Sequence, residues 1–267
     1  MHLILIALLA LTSCGKDASS GSKTLPPQQE EQRPPTEVEP PVVVVDPPAE
    51  IDPADMTKIT DLLPTMYYTA EEEKVSCKGK YGTTTYAGTE QSKIIDMSGN
   101  IIATVCTRFY RVLLMEGSAV LKDRGQGKIG VNYSTKIGDE RRYHKLGKCI
   151  LGEGVKRDLC LLPYHTLATD NKVHAIGDIV YIPSVVGLKL PDGSLHDGYF
   201  IVRDTGGAFN GVGAQRVDMF TGLDPDYNNA FQRAGFHHKK PIGAFKIKGN
   251  SAEVVKEKLL LKFGELY

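Results

Sequence analysis

The stretch FIVRDTGGAFNGVGAQRVDMF, residues 200–220, sets an aspartate at each end of a glycine-rich link. Asp204 follows the apolar run Phe200-Ile201-Val202, and Asp218 lies inside Arg216-Val217-Asp218-Met219-Phe220. A phosphate loop needs a helix N-terminus directly after it, because the first-turn amides and the helix dipole hold the anion. No Lys-Ser or Lys-Thr follows here, and the next segment reads as a strand, so a nucleotide site fails on context. Gly206 and Gly207 are instead read as permitting positive φ and close approach of a substrate or another chain. Asp218 alternates with Val217 and Met219, so its side chain points opposite to theirs. With those two in a core, Asp218 faces water or a polar groove.

Working outward, strand signals dominate. Apolar, β-branched or aromatic runs at 101–114, 117–122, 128–134, 177–183, 198–204, 216–220 and 243–249 are punctuated by glycine or proline. The Asp192-Gly193 pair marks a turn in a long hairpin between two of these runs. Helical pattern concentrates at the C-terminus, where Asn250 and Glu253 have capping-box spacing. There Val255, Leu259 and Leu266 share a face, with Val254 and Leu261 beside them. Many short strands and few helices predict a mainly β barrel or sandwich.

The chain begins MHLILIALLALTSCGK. That apolar run is too short for a permanent membrane span and reads, over residues 1–13, as a signal peptide ending at a lipid-accepting Cys14. Residues 14–55 follow as a tether. Nine of the fifteen prolines fall there, and a segment so poor in backbone donors stays extended. Removing residues 1–55 leaves 29 basic and 23 acidic residues in 56–267, a net charge of +6 that suits an anionic partner. For an exported chain that partner is cell wall, not nucleic acid. Cys77, Cys106, Cys149 and Cys160 permit two disulfides; Cys149 and Cys160 are close in sequence across a glycine-containing loop, which makes 77–106 the second pair. Scattered histidines and the absence of C-x-x-C argue against a metal site. Three aspartates would also suit Ca²⁺, but EF-hand spacing is absent. No cofactor motif is present. The His237-His238 pair is a poor chelate, since neighbours in a strand point to opposite sides.

Asp170 before the Ala175-Ile176-Gly177-Asp178 turn, Asp204 in Asp-Thr-Gly-Gly-Ala, and Asp218 in the last strand together resemble the 3D domain, which is named for three aspartates. Residues 232–247, with Arg233-Ala234-Gly235, resemble the end of the same barrel in the MltA group of membrane-bound lytic transglycosylases, which are lipoproteins. The resemblance is clearest over 167–247. It implies a mainly β fold for 56–267: a six-stranded double-psi β-barrel with loop insertions and a C-terminal helix. Residues 65–165 are left to hold the first barrel strands and a compact insertion.

The resemblance also implies a chemistry. One carboxylic acid protonates the leaving oxygen of the β-1,4 bond between N-acetylmuramic acid and N-acetylglucosamine. It then takes the proton of the muramoyl C6 hydroxyl, closing a 1,6-anhydro ring without water. Asp218 is the expected acid and base, with Asp204 holding and tuning it. Such an acid needs a raised pKa, from burial or from a neighbouring carboxylate. Asp170, Gly206, Gly207, Arg233 and Tyr68 are the expected substrate contacts, although Asp170 beside a turn equally suits hydrogen bonding to backbone amides. The partners are then peptidoglycan glycan strands and, through the lipid, a membrane: the outer membrane, facing the periplasm. Two other readings stay open. One is a non-catalytic, expansin-like peptidoglycan-binding barrel; the other is a hydrolase, with room for water between two carboxylates.

Overall fold

The computed structural model describes residues 51–264 apart from Asn210 and Asp226. The signal peptide, Cys14, nearly all of the tether and Leu266 lie outside the described residues. Among the described residues no helix is long and apolar enough to cross a membrane.

The chain starts with β1 (Met56–Lys58) and β2 (Leu63–Tyr67), then leaves for a second lobe. That lobe holds β3 (Ala70–Glu71), β4 (Gly79–Tyr81), β5 (Thr84–Tyr86), β6 (Gln91–Ile95), β7 (Ile101–Cys106), α1 (Thr107–Glu116), β8 (Ser118–Leu121), β9 (Ile129–Ile137) and β10 (Glu140–Lys145). The chain returns through β11 (Thr166–Thr169), β12 (Ile179–Tyr181), β13 (Tyr199–Asp204), β14 (Arg216–Phe220), α2 (Ala230–Arg233), β15 (Phe245–Ile247) and α3 (Gly249–Phe263).

The main sheet has seven strands in the order β1-β15-β12-β13-β11-β14-β2. Its two outer members are consecutive in the chain, and Leu62 between them bridges Ile242 just before β15. Six strands, the expected number, result only when β1 and β2 are counted as one. One side of the sheet carries Leu167, Val180, Phe200, Val202, Val217 and Met219 into a core closed by Phe231 and Phe236. The other side sends Ile179, Tyr181, Tyr199, Ile201 and Ile247 against Val255, Leu259 and Phe263 of α3.

The second lobe has its own core, in which Phe109, Val112 and Leu113 of α1 pack on Val131 and Tyr143. Here the expectation of one long strand over 101–114 is corrected, because the chain turns helical at Thr107. The apolar i, i+3, i+4 spacing of Phe109, Val112 and Leu113 outweighs the β-branched start, and Gly117 stops the helix at φ 83°. Strand β10, which pairs with β9, has no apolar run to announce it. Disulfides join Cys77 to Cys106 and Cys149 to Cys160.

The terminal helix is present, but Asn250 does not cap it. The Asp55 carboxylate instead accepts from Ser251 N at 3.1 Å, so the cap comes from the far end of the folded chain. Val255 and Leu259 are buried, whereas Val254 and Leu261 are exposed.

Candidate active site

Strand β11 lies between β13 and β14, and its Ala168 pairs with Asp204 on one side and Asp218 on the other. Beyond Asp218, Thr65 of β2 completes the row. Directly paired residues share a face, so Thr65, Asp218, Ala168 and Asp204 line one strip across four strands. Two inter-strand spacings put the aspartate Cα atoms roughly 9–10 Å apart. Ala168 between them is small and buried, and the Tyr67 phenol lies within electrostatic reach of both carboxylates.

Asp204 reaches that face because of a register shift. Strict alternation from Phe200 and Val202, both in the core, would turn Asp204 inward as well. The irregularity between Leu167 and Ala168 against β13 re-aims it toward Asp218. Asp218 needs no such device, since Val217 and Met219 are buried in the core and it alternates with them.

Both aspartates are partly exposed as residues, yet Asp218 Oδ1 is sealed from solvent without a hydrogen-bond partner. Burial pushes each carboxyl from 3.8 up to about 6. For Asp204, the hydrogen bond from Thr205 N (2.8 Å) and the nearby Tyr67 phenol oppose the rise. For Asp218, Arg216 opposes it and the negative charge of Asp204 adds to it. Desolvation is therefore the main cause in both, and like-charge repulsion a lesser one at Asp218 alone.

Tyr67, which the sequence places with Tyr68 and Thr69 in the first barrel strand without marking it as a site residue, lies beside the acids. Its ring lies 5.1 Å from that of Phe220. Burial first, then the charge of Asp204, hold its phenol well above the usual value. The hydroxyl lowers the Asp204 pKa without meeting the geometry of a full hydrogen bond. The signal was strand alternation: Thr65 and Tyr67 share the face of Asp218. Tyr68, the expected contact, packs on the second lobe's core, and its N–H donates to Glu116 Oε2 (3.1 Å).

The remaining expected residues divide. Asp170 is buried and accepts from Lys172 N and Gly211 N, each at 3.1 Å, tying the glycine loop to the end of β11. Positive φ falls on Gly211 (74°) and Gly213 (81°), not on Gly206 or Gly207, so that expectation is corrected. Gly207 instead opens a short 3-10 turn whose Phe209 is buried and anchors the loop. Arg233 is exposed and turns onto Asn228 (3.2 Å to Oδ1).

Behind Asp204, the 149–160 disulfide segment runs against β13, with Val155 N donating to Arg203 O (3.1 Å). The same segment is held to the second lobe by His144, which bridges Ser134 Oγ (2.6 Å) and the buried Glu153 (2.7 Å). His165, His196 and Asp197 form the one metal-compatible cluster among the described residues. All four ring nitrogens are already engaged, with Tyr199 O, Lys262 Nζ, Tyr164 O and Gly198 N.

Residues 165–241 match the 3D domain. No curated protein matches the chain. Among solved structures, Escherichia coli MltA with bound chitohexaose is similar at 15% identity over 70% of this chain and 71% of that one, TM-score 0.40. A membrane-bound lytic murein transglycosylase from Agrobacterium tumefaciens is similar at 13% identity over 78% and 77%, TM-score 0.40. MltA from Neisseria gonorrhoeae is similar at 17% identity over 57% and 45%, TM-score 0.38. Likenesses this distant carry no assignment alone, and the match over the aspartate-bearing segment does: the chain carries a 3D domain at residues 165–241.

Proposed function

We propose that this protein is a peptidoglycan lytic transglycosylase. In this reading β1 and β2 are one bent strand that closes a six-stranded double-psi barrel, and the strip of Thr65, Asp218, Ala168 and Asp204 floors a sugar cleft. Asp218, protonated below about 6, gives its proton to the leaving glycosidic oxygen. Asp204, ionised, steadies the positive charge that develops on the muramoyl ring. Asp218 then takes the C6 hydroxyl proton as that oxygen closes the anhydro ring. Thr205 N–H holds the Asp204 carboxylate in place, and the nearby Tyr67 phenol favours its ionised form. The second lobe, joined at Tyr68–Glu116, supplies the facing wall. Lipid on Cys14 holds the domain at the outer membrane, facing the periplasm.

The observation that carries this reading is the sealed, unpartnered Asp218 Oδ1 on a carboxyl whose pKa burial raises to about 6. A surface that only grips glycan has no use for a protonated acid.

The test is mass spectrometry of soluble products from purified sacculi incubated with the whole protein. Muropeptides ending in 1,6-anhydro-N-acetylmuramic acid are expected, with their release lowered at least ~10³-fold by Asp218→Asn, near the upper range for losing a general acid. Reducing-end products would replace the reading with hydrolysis. Pelleting on sacculi without any release would replace it with a binding barrel.

A further inference from the structure

The excess positive charge of the folded part has a focus in the second lobe. Between α1 and the β9–β10 hairpin lies a cavity of about 430 Å³, lined by Ser92, Thr107, Tyr110, Arg111, Lys136 and Arg141, with Leu114 and Asp139. Three cations face a single carboxylate. That carboxylate, Asp139, is exposed and 3.1 Å from Lys136. Glu140 beside it is turned onto Arg142 (2.8 Å). Arg141 is fixed by donating to Leu114 O (2.5 Å) and by lying over the Tyr133 ring (5.3 Å). Arg111 is exposed, and its side chain makes no hydrogen bond or ion pair among the described residues. The Ser92 and Thr107 hydroxyls, 2.9 Å apart, add neutral donors.

We infer that this cavity binds the carboxylates of a short peptide carried by the glycan. Two guanidinium planes suit carboxylate groups, which they engage through paired N–H donors. The location fits as well. Leu114 lines the cavity, and Glu116, two residues further along α1, accepts from Tyr68 N beside the Tyr67 that faces Asp204. Those two residues span about 3 Å of helix. A four-residue peptide spans up to about 14 Å when extended, which sets how far from the acid pair such a contact can lie. The inference rests on reading that pair as a glycan-cleaving site. It assigns the peptide contact to Arg111 and Arg141, not to Arg233, which the family resemblance implies as a substrate contact.

The test measures binding by the whole protein carrying Asp218→Asn, so that substrate stays uncut. The ligands are solubilised peptide-bearing glycan strands and the same strands after an amidase has removed the peptides. Peptide-bearing strands should bind about 10-fold more tightly. Adding Arg111→Glu and Lys136→Glu, both at exposed positions, should erase that preference and leave binding to bare strands unchanged. A preference that survives the double substitution, or no preference at all, overturns the inference. So does equal competition by inorganic phosphate and by the free peptide, which would make the cavity a general anion site. Failure of the catalytic reading is measured separately, as the absence of anhydro products when wild-type protein is given bare strands.

Discussion

Asp218 Oδ1 is sealed from solvent without a hydrogen-bond partner, and this has a thermodynamic sign. A carboxyl whose pKa is raised in the folded state costs nothing below pH 3.8, where both states are protonated. Stability is lost as pH climbs from 3.8 through about 6, because the unfolded chain ionises first. The full interval is worth roughly 3 kcal/mol. Asp218→Asn should therefore stabilise the protein by about 1–3 kcal/mol at pH 8 and by nothing measurable at pH 3.5, read from denaturant unfolding at both values. Equal effects at the two pH values would contradict the burial of the acid. At this scale much was legible from sequence: alternation of Val217, Asp218 and Met219 set the direction of Asp218, and both aspartates were singled out. Tyr67 was passed over for Tyr68 because the start of β2, and hence its phase, had no marker in an ordinary run of Leu, Pro, Thr and Met.

Among the elements, the bulge where β13 meets β11 decides whether Asp204 can join Asp218. A bulge inserts one residue without any composition signal, so a period-two reading places Asp204 correctly in the strand but cannot give its face. The support behind it comes from Gly154. A Cβ there would stand 2.0 Å from the Arg203 carbonyl oxygen, so this segment approaches β13 more closely than any side chain allows. Gly154→Ala should cost about 1–3 kcal/mol by forcing the two backbones apart. It should also lower turnover of sacculi more than the lost stability explains, because the displaced residue adjoins Asp204. A variant with unchanged melting temperature and rate would show that the approach is dispensable. Helix α1 shows the converse limit. A β-branched opening at 101–106 masked the helix behind it, whose apolar face emerges only when read from Thr107. Helix α3 was legible in pattern, but its cap was not. Asp55 lies almost two hundred residues away in sequence, at 196 positions from Ser251, and no local signature reports such a contact.

At the scale of the whole molecule, a sheet bearing two half-buried acids and a second lobe with its own core are joined through Tyr68–Glu116, Thr69–Ser118 and Val155–Arg203. The 3D segment was identifiable from its aspartates and glycines; the second lobe was legible only as a stretch left over, because its strands are short and its core is shared with a helix. In the proposed chemistry the pair must hold one proton, on Asp218, with Asp204 charged. Since burial raises both groups to about 6, the fraction of molecules with Asp218 protonated and Asp204 ionised peaks near that value. The most direct test is the initial rate of 1,6-anhydro product release from sacculi by the whole protein between pH 4 and 9. The account predicts a bell centred near pH 6, falling about 10-fold for each pH unit on the alkaline side as Asp218 loses its proton. A rate that stays level or keeps rising to pH 9 would contradict Asp218 as the acid.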